Sequence, residues 1–241
     1  MISVCIATHN GEKYIREQLD SILCQLSPYD EVVISDDGSV DSTLDIISSY
    51  KDSRIHIHRM NHTRNGMKPH YYVTMNFENA LKFAKGEYIF LSDQDDIWLP
   101  NKVKIWMYAL LNCDIVLHNL ECVDGYLQPL HRNIYNKVNT FRFKNFLLFR
   151  GKHYGCALAF KRTLLKHILP FPKNLVLHDF WVGIIGESFG KLHYIDNPLV
   201  LYRIHDSNTS GKSQNNNSLL YKILYRLYII SHIILRKLFN K

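Results

Sequence analysis

A chain of 241 residues with 46% apolar and 21% charged side chains carries enough hydrophobic surface for one large core, which excludes an intrinsically disordered protein. Of its formal net charge of +7, nearly all comes from Lys212, Lys222, Arg226, Arg236, Lys237 and Lys241, a tail without a single Asp or Glu. The remainder is close to neutral, which argues against a nucleic-acid-binding body.

Strand and helix signals then alternate. Ile2-Ser3-Val4-Cys5-Ile6-Ala7 reads as a strand ending at Thr8, and no basic flank or long apolar run of the signal-peptide kind precedes it, so a cytoplasmic location is expected. The polar turn His9-Asn10-Gly11 opens a helix with Ile15, Leu19, Ile22, Leu23 and Leu26 along one face. Glu31-Val32-Val33-Ile34-Ser35 is a short apolar run of the kind buried in a parallel sheet, closed by Asp36-Asp37-Gly38-Ser39. Asp41 or Ser42 caps the next helix, which carries Leu44, Ile46, Ile47 and Tyr50. In the strand from Ile55 to Arg59, His56 and His58 alternate with Ile55 and Ile57, so the Ile side is expected inward and the imidazoles outward rather than gathered with His62 on zinc. A polar loop from Met60 to His70 and a helix from Tyr71 to Ala84 lead to strand Glu87 to Ser92. Further on, Tyr154 to Phe160 reads as a strand of small residues followed by a helix from Arg162. Phe180 to Phe189 is a helix, Asp196-Asn197-Pro198 a turn, and Leu199 to Ile204 a strand. The order predicts an α/β fold.

Three strands therefore finish in polar clusters: Thr8-His9-Asn10, Asp36-Asp37-Gly38 and Asp93-Gln94-Asp95. In an open α/β sheet the carboxyl ends of parallel strands share one edge, and ligands bind in the crevice outside it. The third cluster, Ser92-Asp93-Gln94-Asp95-Asp96-Ile97-Trp98, sets three carboxylates within four residues directly after an apolar strand. Like charges at that position call for a compensating cation, and oxygen ligands favour Mg²⁺ or Mn²⁺ over zinc; a solvated acidic loop is the alternative. Five dispersed cysteines without a C-x-x-C pair (Cys5, Cys24, Cys113, Cys122, Cys156) read as reduced thiols, not as a disulfide frame or zinc site.

These residues also carry a family likeness. Ala7-Thr8-His9-Asn10-Gly11-Glu12, Asp36-Asp37-Gly38-Ser39 and Asp93-Gln94-Asp95, with Gly86-Glu87-Tyr88-Ile89 just ahead, resemble the motifs of family 2 glycosyltransferases. The likeness spans Met1 to Gly211 and implies a GT-A fold, a mixed central sheet flanked by helices. It further implies a nucleoside-diphosphate sugar donor (UDP, dTDP or GDP) held by Thr8, Glu12 and Asp37, with Asp93 near the ribose and Asp95 as the ligand of Mg²⁺ or Mn²⁺. Inverting members place a general base in an acidic-aromatic motif, which here falls on Asp179 in His178-Asp179-Phe180-Trp181; the residue before it, often acidic in the family, is His178. By itself Asp179 could equally be an N-cap. Gly155 and Cys156, together with Trp181, are expected to line the donor sugar and acceptor. Arg203 and His205, two apart on a strand, face the same way and suit a diphosphate, although a surface pair would show the same spacing.

After Asn- and Ser-rich residues 212–218, the segment 219–239 has helical apolar spacing with Tyr221, Tyr225 and Tyr228, and its longest uncharged stretch is too short to span a bilayer of about 30 Å. We therefore divide the chain into a catalytic domain, 1–211, and a linker with a basic amphipathic helix, 212–241. That helix suits the inner face of the cytoplasmic membrane, or docking on the catalytic domain or a partner subunit. The expectation is an inverting, metal-dependent transferase of surface-polysaccharide assembly, similar to rhamnosyltransferases and acting on a lipid-linked glycan. Three readings compete: a catalytically silent membrane adaptor on the same fold, a metal-dependent nucleotidyltransferase, which lacks its Gly-rich basic loop here, and a dinucleotide oxidoreductase, which lacks its G-x-G-x-x-G.

Overall fold

The computed structural model describes residues 1–60, 66–133, 153–206, 208 and 218–239. Its amino-terminal half alternates β1 (Ile2–Thr8), α1 (Ile15–Leu23), β2 (Glu31–Asp36), α2 (Thr43–Ser49), β3 (Ile55–Arg59), α3 (Pro69–Phe83) and β4 (Tyr88–Ser92). β1 pairs in parallel with β2 and β4, and β2 with β3. Helices pack against this sheet through faces set by sequence, as α1 does with Ile15, Leu19, Ile22 and Leu23. Pro69 stands in the first turn of α3, where its missing N–H costs nothing.

The second half was less visible in the sequence. After β4 come β5 (Ile97–Trp98), α4 (Lys102–Leu110), β6 (Ile115–Val123), β7 (Pro129–Asn133), β8 (Leu158–Lys161), α5 (Leu165–Ile168), α6 (His178–Phe189), β9 (Leu192–Arg203) and α7 (Leu219–Phe239). The strand order is β3-β2-β1-β4-β8-β6-β9-β5, with β7 beside β6. β8 runs antiparallel to both β4 and β6, which makes the sheet mixed.

Several expectations need correction. Tyr154 to Phe160 is not one strand: Gly155–Ala157 is a 3₁₀ turn and β8 starts at Leu158. The helix from Arg162 begins as 3₁₀ and becomes α5 only at Leu165. Asp196-Asn197 is no turn between strands but a bulge within β9: His118 pairs with Ile195 and Asn119 with Pro198, so two residues are looped out. Ile57 is 36% exposed because β3 is the outermost strand, and His58 stacks on Phe83 at 3.7 Å. His62 and residues 212–217 lie outside the described residues, as does the 211/212 boundary.

Of the alternatives for the tail helix, docking on the catalytic domain is what the structure shows. Ile229 and Ile233 are buried in the main core. Tyr225 Oη accepts the Val176 N–H at 3.3 Å, Arg236 donates to the Pro170 carbonyl, and its guanidinium lies 5.0 Å over the Trp181 ring. Among the described residues no helix is long and apolar enough to cross a membrane.

Candidate active site

The loops after β1, β2 and β4 meet on one rim, as the parallel register requires, and side chains lace them together. Asp36 is fully buried and structural: its Oδ1 lies 3.1 Å from the Thr8 hydroxyl, and its Oδ2 accepts the Ser39 N–H at 3.0 Å. Thr8 is thereby committed to β2, and its carbonyl accepts from the Asp37 N–H and from Asn76 Nδ2, each at 3.0 Å. Asp37, 5% exposed, is the second carboxylate of that pair. Exposed Glu12 accepts the Ser42 N–H at 2.9 Å while its own N–H donates to Asp41 at 3.1 Å. Asp41, one of the two expected caps of α2, accepts the Thr43 N–H at 3.0 Å, whereas Ser42 makes no side-chain cap.

Gln94, between the two acids of the third motif, was not singled out in the sequence, yet it joins the first and third motifs. Its Oε1 accepts the His9 N–H at 2.9 Å and its Nε2 donates to the His9 carbonyl at 3.2 Å. A side chain on Gly11 would place its Cβ 2.4 Å from Gln94 Oε1, so this amide explains the glycine.

Arg203 and His205 arrive from the far side of the sheet, on and just beyond β9, and meet the acidic loop. The Arg203 backbone N–H donates to Asp96 Oδ1 at 3.0 Å. Its guanidinium donates to the Asp95 carbonyl at 2.8 Å, to the Gly125 carbonyl at 3.0 Å and to Glu17 at 2.5 Å, and lies 4.4 Å over the Tyr14 ring. As placed, Arg203 is a brace that fixes the backbone of Asp95 rather than a side chain open to a diphosphate. His205 Nε2 sits 3.0 Å from Asp95 Oδ2, and Asn208 Nδ2 lies at 3.5 Å from the same oxygen. Asn208 stands in a polar loop whose composition gave no sign of this position.

Beneath the loop, burial first and then the charge of Asp95 push Asp96 up to about 7. Asp93 is raised well above the usual carboxylate range by burial and by Asp96, Asp95 and Asp179, in that order. The compensating cation from the protein itself is Lys102, fully buried, which donates to the Cys156 carbonyl at 2.8 Å and lies 4.4 Å and 4.3 Å from the Trp98 and Trp106 ring centres. Desolvation lowers it to about 7. Nothing in a lysine opening an ordinary helix announces this role.

The separate carboxylate is Asp179. α6 starts at His178 with Leu177 at the cap position and no side-chain cap, so Asp179 is not an N-cap; its Oδ1 accepts the Phe180 N–H at 2.7 Å. Burial raises Asp179 to about 7. Gly155 faces it: an added Cβ would lie 2.9 Å from His178 Nε2 and 3.8 Å from Asp179 Cβ. Cys156 is completely buried beneath Asp93 and Asp96. His178, stacked on Phe77 at 3.9 Å, is held neutral because burial lowers it to about 3, so it adds no positive charge beside Asp179. Trp181 does not line the cleft. Two helical steps turn it about 200° from Asp179, into the core, where its indole N–H donates to the Ile168 carbonyl at 2.9 Å.

A mixed, curled sheet with three laced polar turns on one rim and a carboxylate facing them from a helix defines a glycosyltransferase of the GT-A fold. The chain belongs to glycosyl transferase family 2, whose family model matches residues 3–169. It is 30% identical to dTDP-rhamnosyl transferase RfbG of Shigella flexneri, over 86% of this chain and 73% of that protein. Over 43% of this chain and 38% of that protein it is 36% identical to WfaP of Escherichia coli, named a UDP-Glc:alpha-D-GlcNAc-diphosphoundecaprenol beta-1,3-glucosyltransferase. Some curated relatives are much longer; the chain spans 36% of a glycosyltransferase of Rickettsia felis. The fold matches S. aureus TarS 1-349 in complex with UDP-GlcNAc at a TM-score of 0.70, with 18% identity over 96% of this chain and 72% of that one. It also matches the mannosyltransferase PcManGT of Pyrobaculum calidifontis in complex with GDP-Man and Mn²⁺ at 0.59, with 18% identity over 96% and 69%.

Proposed function

We propose that this protein transfers a sugar, with inversion, from a nucleoside diphosphate to a hydroxyl of a lipid-linked glycan during surface-polysaccharide assembly. The observation that carries the reading is the division of the rim into two carboxylate centres: Asp95 braced by Arg203 and paired with His205, and Asp179 on a different element. The names of RfbG and WfaP support polysaccharide synthesis, and that of WfaP supports a diphospholipid-linked acceptor.

The donor set suits a hard divalent ion such as Mg²⁺ or Mn²⁺. Asp95 Oδ2 and His205 Nε2 lie within hydrogen-bond distance, 3.0 Å, and together would offer such an ion one carboxylate oxygen and one imidazole nitrogen. Asp93, Asp96 and Cys156 also offer atoms within 4.8 Å of one another. That second group fits less well, because burial holds the Cys156 thiol far above its ordinary value and therefore protonated. We assign the ion to Asp95 and His205, and Asp93 to the ribose side. Bound there, it would neutralise the leaving diphosphate.

The chain's own residues do the rest. Asp37 and Glu12 present carboxylates to the base and ribose, with Thr8 positioning the loop through Asp36. Arg203 keeps the Asp95 backbone in place, and Gly155, lacking a Cβ, lets His178 and Asp179 close against it. Asp179, poised near 7, takes the proton of the acceptor hydroxyl as it attacks the anomeric carbon.

A thermal-shift series with UDP, dTDP and GDP, with and without Mn²⁺, tests this assignment. At least one diphosphate should raise Tm in an Mn²⁺-dependent way, and Asp95→Asn should remove that dependence. Asp179→Asn should keep the shift and abolish transfer. If no nucleotide stabilises the protein under either condition, the proposed donor site is wrong.

A further inference from the structure

A fully buried lysine is a costly way to fill space. Lys102 opens α4 directly after Asn101, which has a φ of 67°, and is 0% exposed. An apolar side chain of similar volume would occupy the same position without giving up an ammonium's hydration, so packing does not account for it. The ammonium is also held still. It lies 4.4 Å and 4.3 Å from the ring centres of Trp98 and Trp106, and both rings are fixed in turn. Trp98 Nε1 donates to Ser92 Oγ at 3.1 Å, and Trp106 meets Phe90 edge-on at 4.6 Å. From that seat Lys102 Nζ donates to the Cys156 carbonyl at 2.8 Å.

Cys156 stands between the two carboxylate centres. On the donor-motif side its thiol and the carboxylates of Asp93 and Asp96 offer atoms within 4.8 Å of one another. On the other side is Gly155, its neighbour in the 3₁₀ turn Gly155–Ala157. Gly155 packs so closely on α6 that an added Cβ would lie 2.9 Å from His178 Nε2 and 3.8 Å from Asp179 Cβ. A turn of three residues has few hydrogen bonds of its own, and Lys102 anchors it from a different element.

We propose that Lys102 is a positioning residue, which by holding the Cys156 carbonyl fixes the turn that spaces the donor-motif acids from Asp179. Being fully buried, it acts on the reaction only through that turn. The catalytic consequence, a base held at a set distance from the bound donor, rests on the sugar-transfer reading above.

The first test uses the full chain, Lys102→Met and cysteine labelling, and needs no substrate. Cys24 is exposed while Cys5, Cys113, Cys122 and Cys156 are buried, so N-ethylmaleimide should mark Cys24 alone in wild type at short times. In the variant, Cys156 should be labelled on the order of tenfold faster while the other three buried thiols stay protected, the mark of a local opening. Should Lys102→Met not fold, Lys102→Gln, whose amide falls one bond short of Nζ, carries the same expectation. The inference is overturned if a folded variant protects Cys156 as well as wild type does, or if every buried thiol opens together in both variants, which would make Lys102 a packing residue. The second test follows release of nucleoside diphosphate from UDP-glucose, dTDP-rhamnose and GDP-mannose with Mn²⁺. The folded variant should lose roughly ten- to hundredfold in kcat and keep the nucleotide-induced Tm shift; an unchanged kcat, or a lost shift, also overturns the inference. Turnover of none of the three by wild type, with no nucleotide-induced Tm shift, would sink the sugar-transfer reading and leave the labelling result standing.

Discussion

Asp179 has to be acidic enough to ionise at working pH and basic enough to accept a proton, and its placement near 7 meets both demands. Transfer should therefore rise with pH through about 7 and level off above it, as a pH–rate profile at saturating donor would show. Stability should move the opposite way. A carboxyl whose folded value exceeds its unfolded one holds its proton better in the native state, so its contribution is complete below pH 3.8 and is lost as pH rises through about 7. Asp179→Asn removes that loss and should gain on the order of a few kcal/mol at pH 8 while transfer disappears, measured by denaturant unfolding. Gln94 offers a second check. Gln94→Glu turns a donor toward the His9 carbonyl into an acceptor, which should cost about 1–3 kcal/mol and diminish the nucleotide-induced Tm shift. At this scale the sequence disclosed the acids and concealed their partners. Asp95, Asp93 and Asp179 are conspicuous as charges in a motif, whereas Gln94, Lys102 and Asn208 matter through contacts with residues far away in the chain. Arg203 was found, but its engagement with Glu17 and Gly125 depends on folding that no local pattern encodes.

Among the elements, the parallel half was legible because buried parallel strands are continuous apolar runs separated by amphipathic helices. β6 hides because His118, Asn119 and Glu121 interrupt it. β5 has two residues, too few for any period, and the looped-out Asp196-Asn197 imitates a turn. Gly86 shows a motif residue explained only by packing. A Cβ there would stand 2.5 Å from the Ser3 nitrogen and 2.7 Å from the Ile2 carbonyl carbon, backbone atoms of β1 that cannot swing aside. Gly86→Ala should therefore destabilise the joint between β1 and β4 by about 1–3 kcal/mol, lowering Tm by roughly 2–4 °C per kcal/mol with little change in nucleotide affinity at low temperature.

For the molecule as a whole, the tail is part of the fold. Removing residues 218–241 uncovers Trp181 and the segment around Pro170 and deletes Ile229 and Ile233 from the core. Truncation should lower Tm by on the order of 10 °C, and an unchanged melting curve would mean that α7 does not hold its docked position. Its helical period could be read in advance; which face would be covered could not, because the choice depends on side chains of α6 and the 170–176 segment. The sheet order carries one more consequence. β4 and β5 are separated by β8, β6 and β9, which in a flat sheet would set them ~19 Å apart at ~4.8 Å per step. Ser92 and Ile97 are nevertheless joined by five peptide steps, at most ~18 Å when drawn straight. The segment holding Asp93 and Asp95 is thus a chord pulled across an arc, bringing β5 back toward the end of β4. Adding one residue to that chord would slacken it and carry Asp95 out of reach of Arg203 and His205.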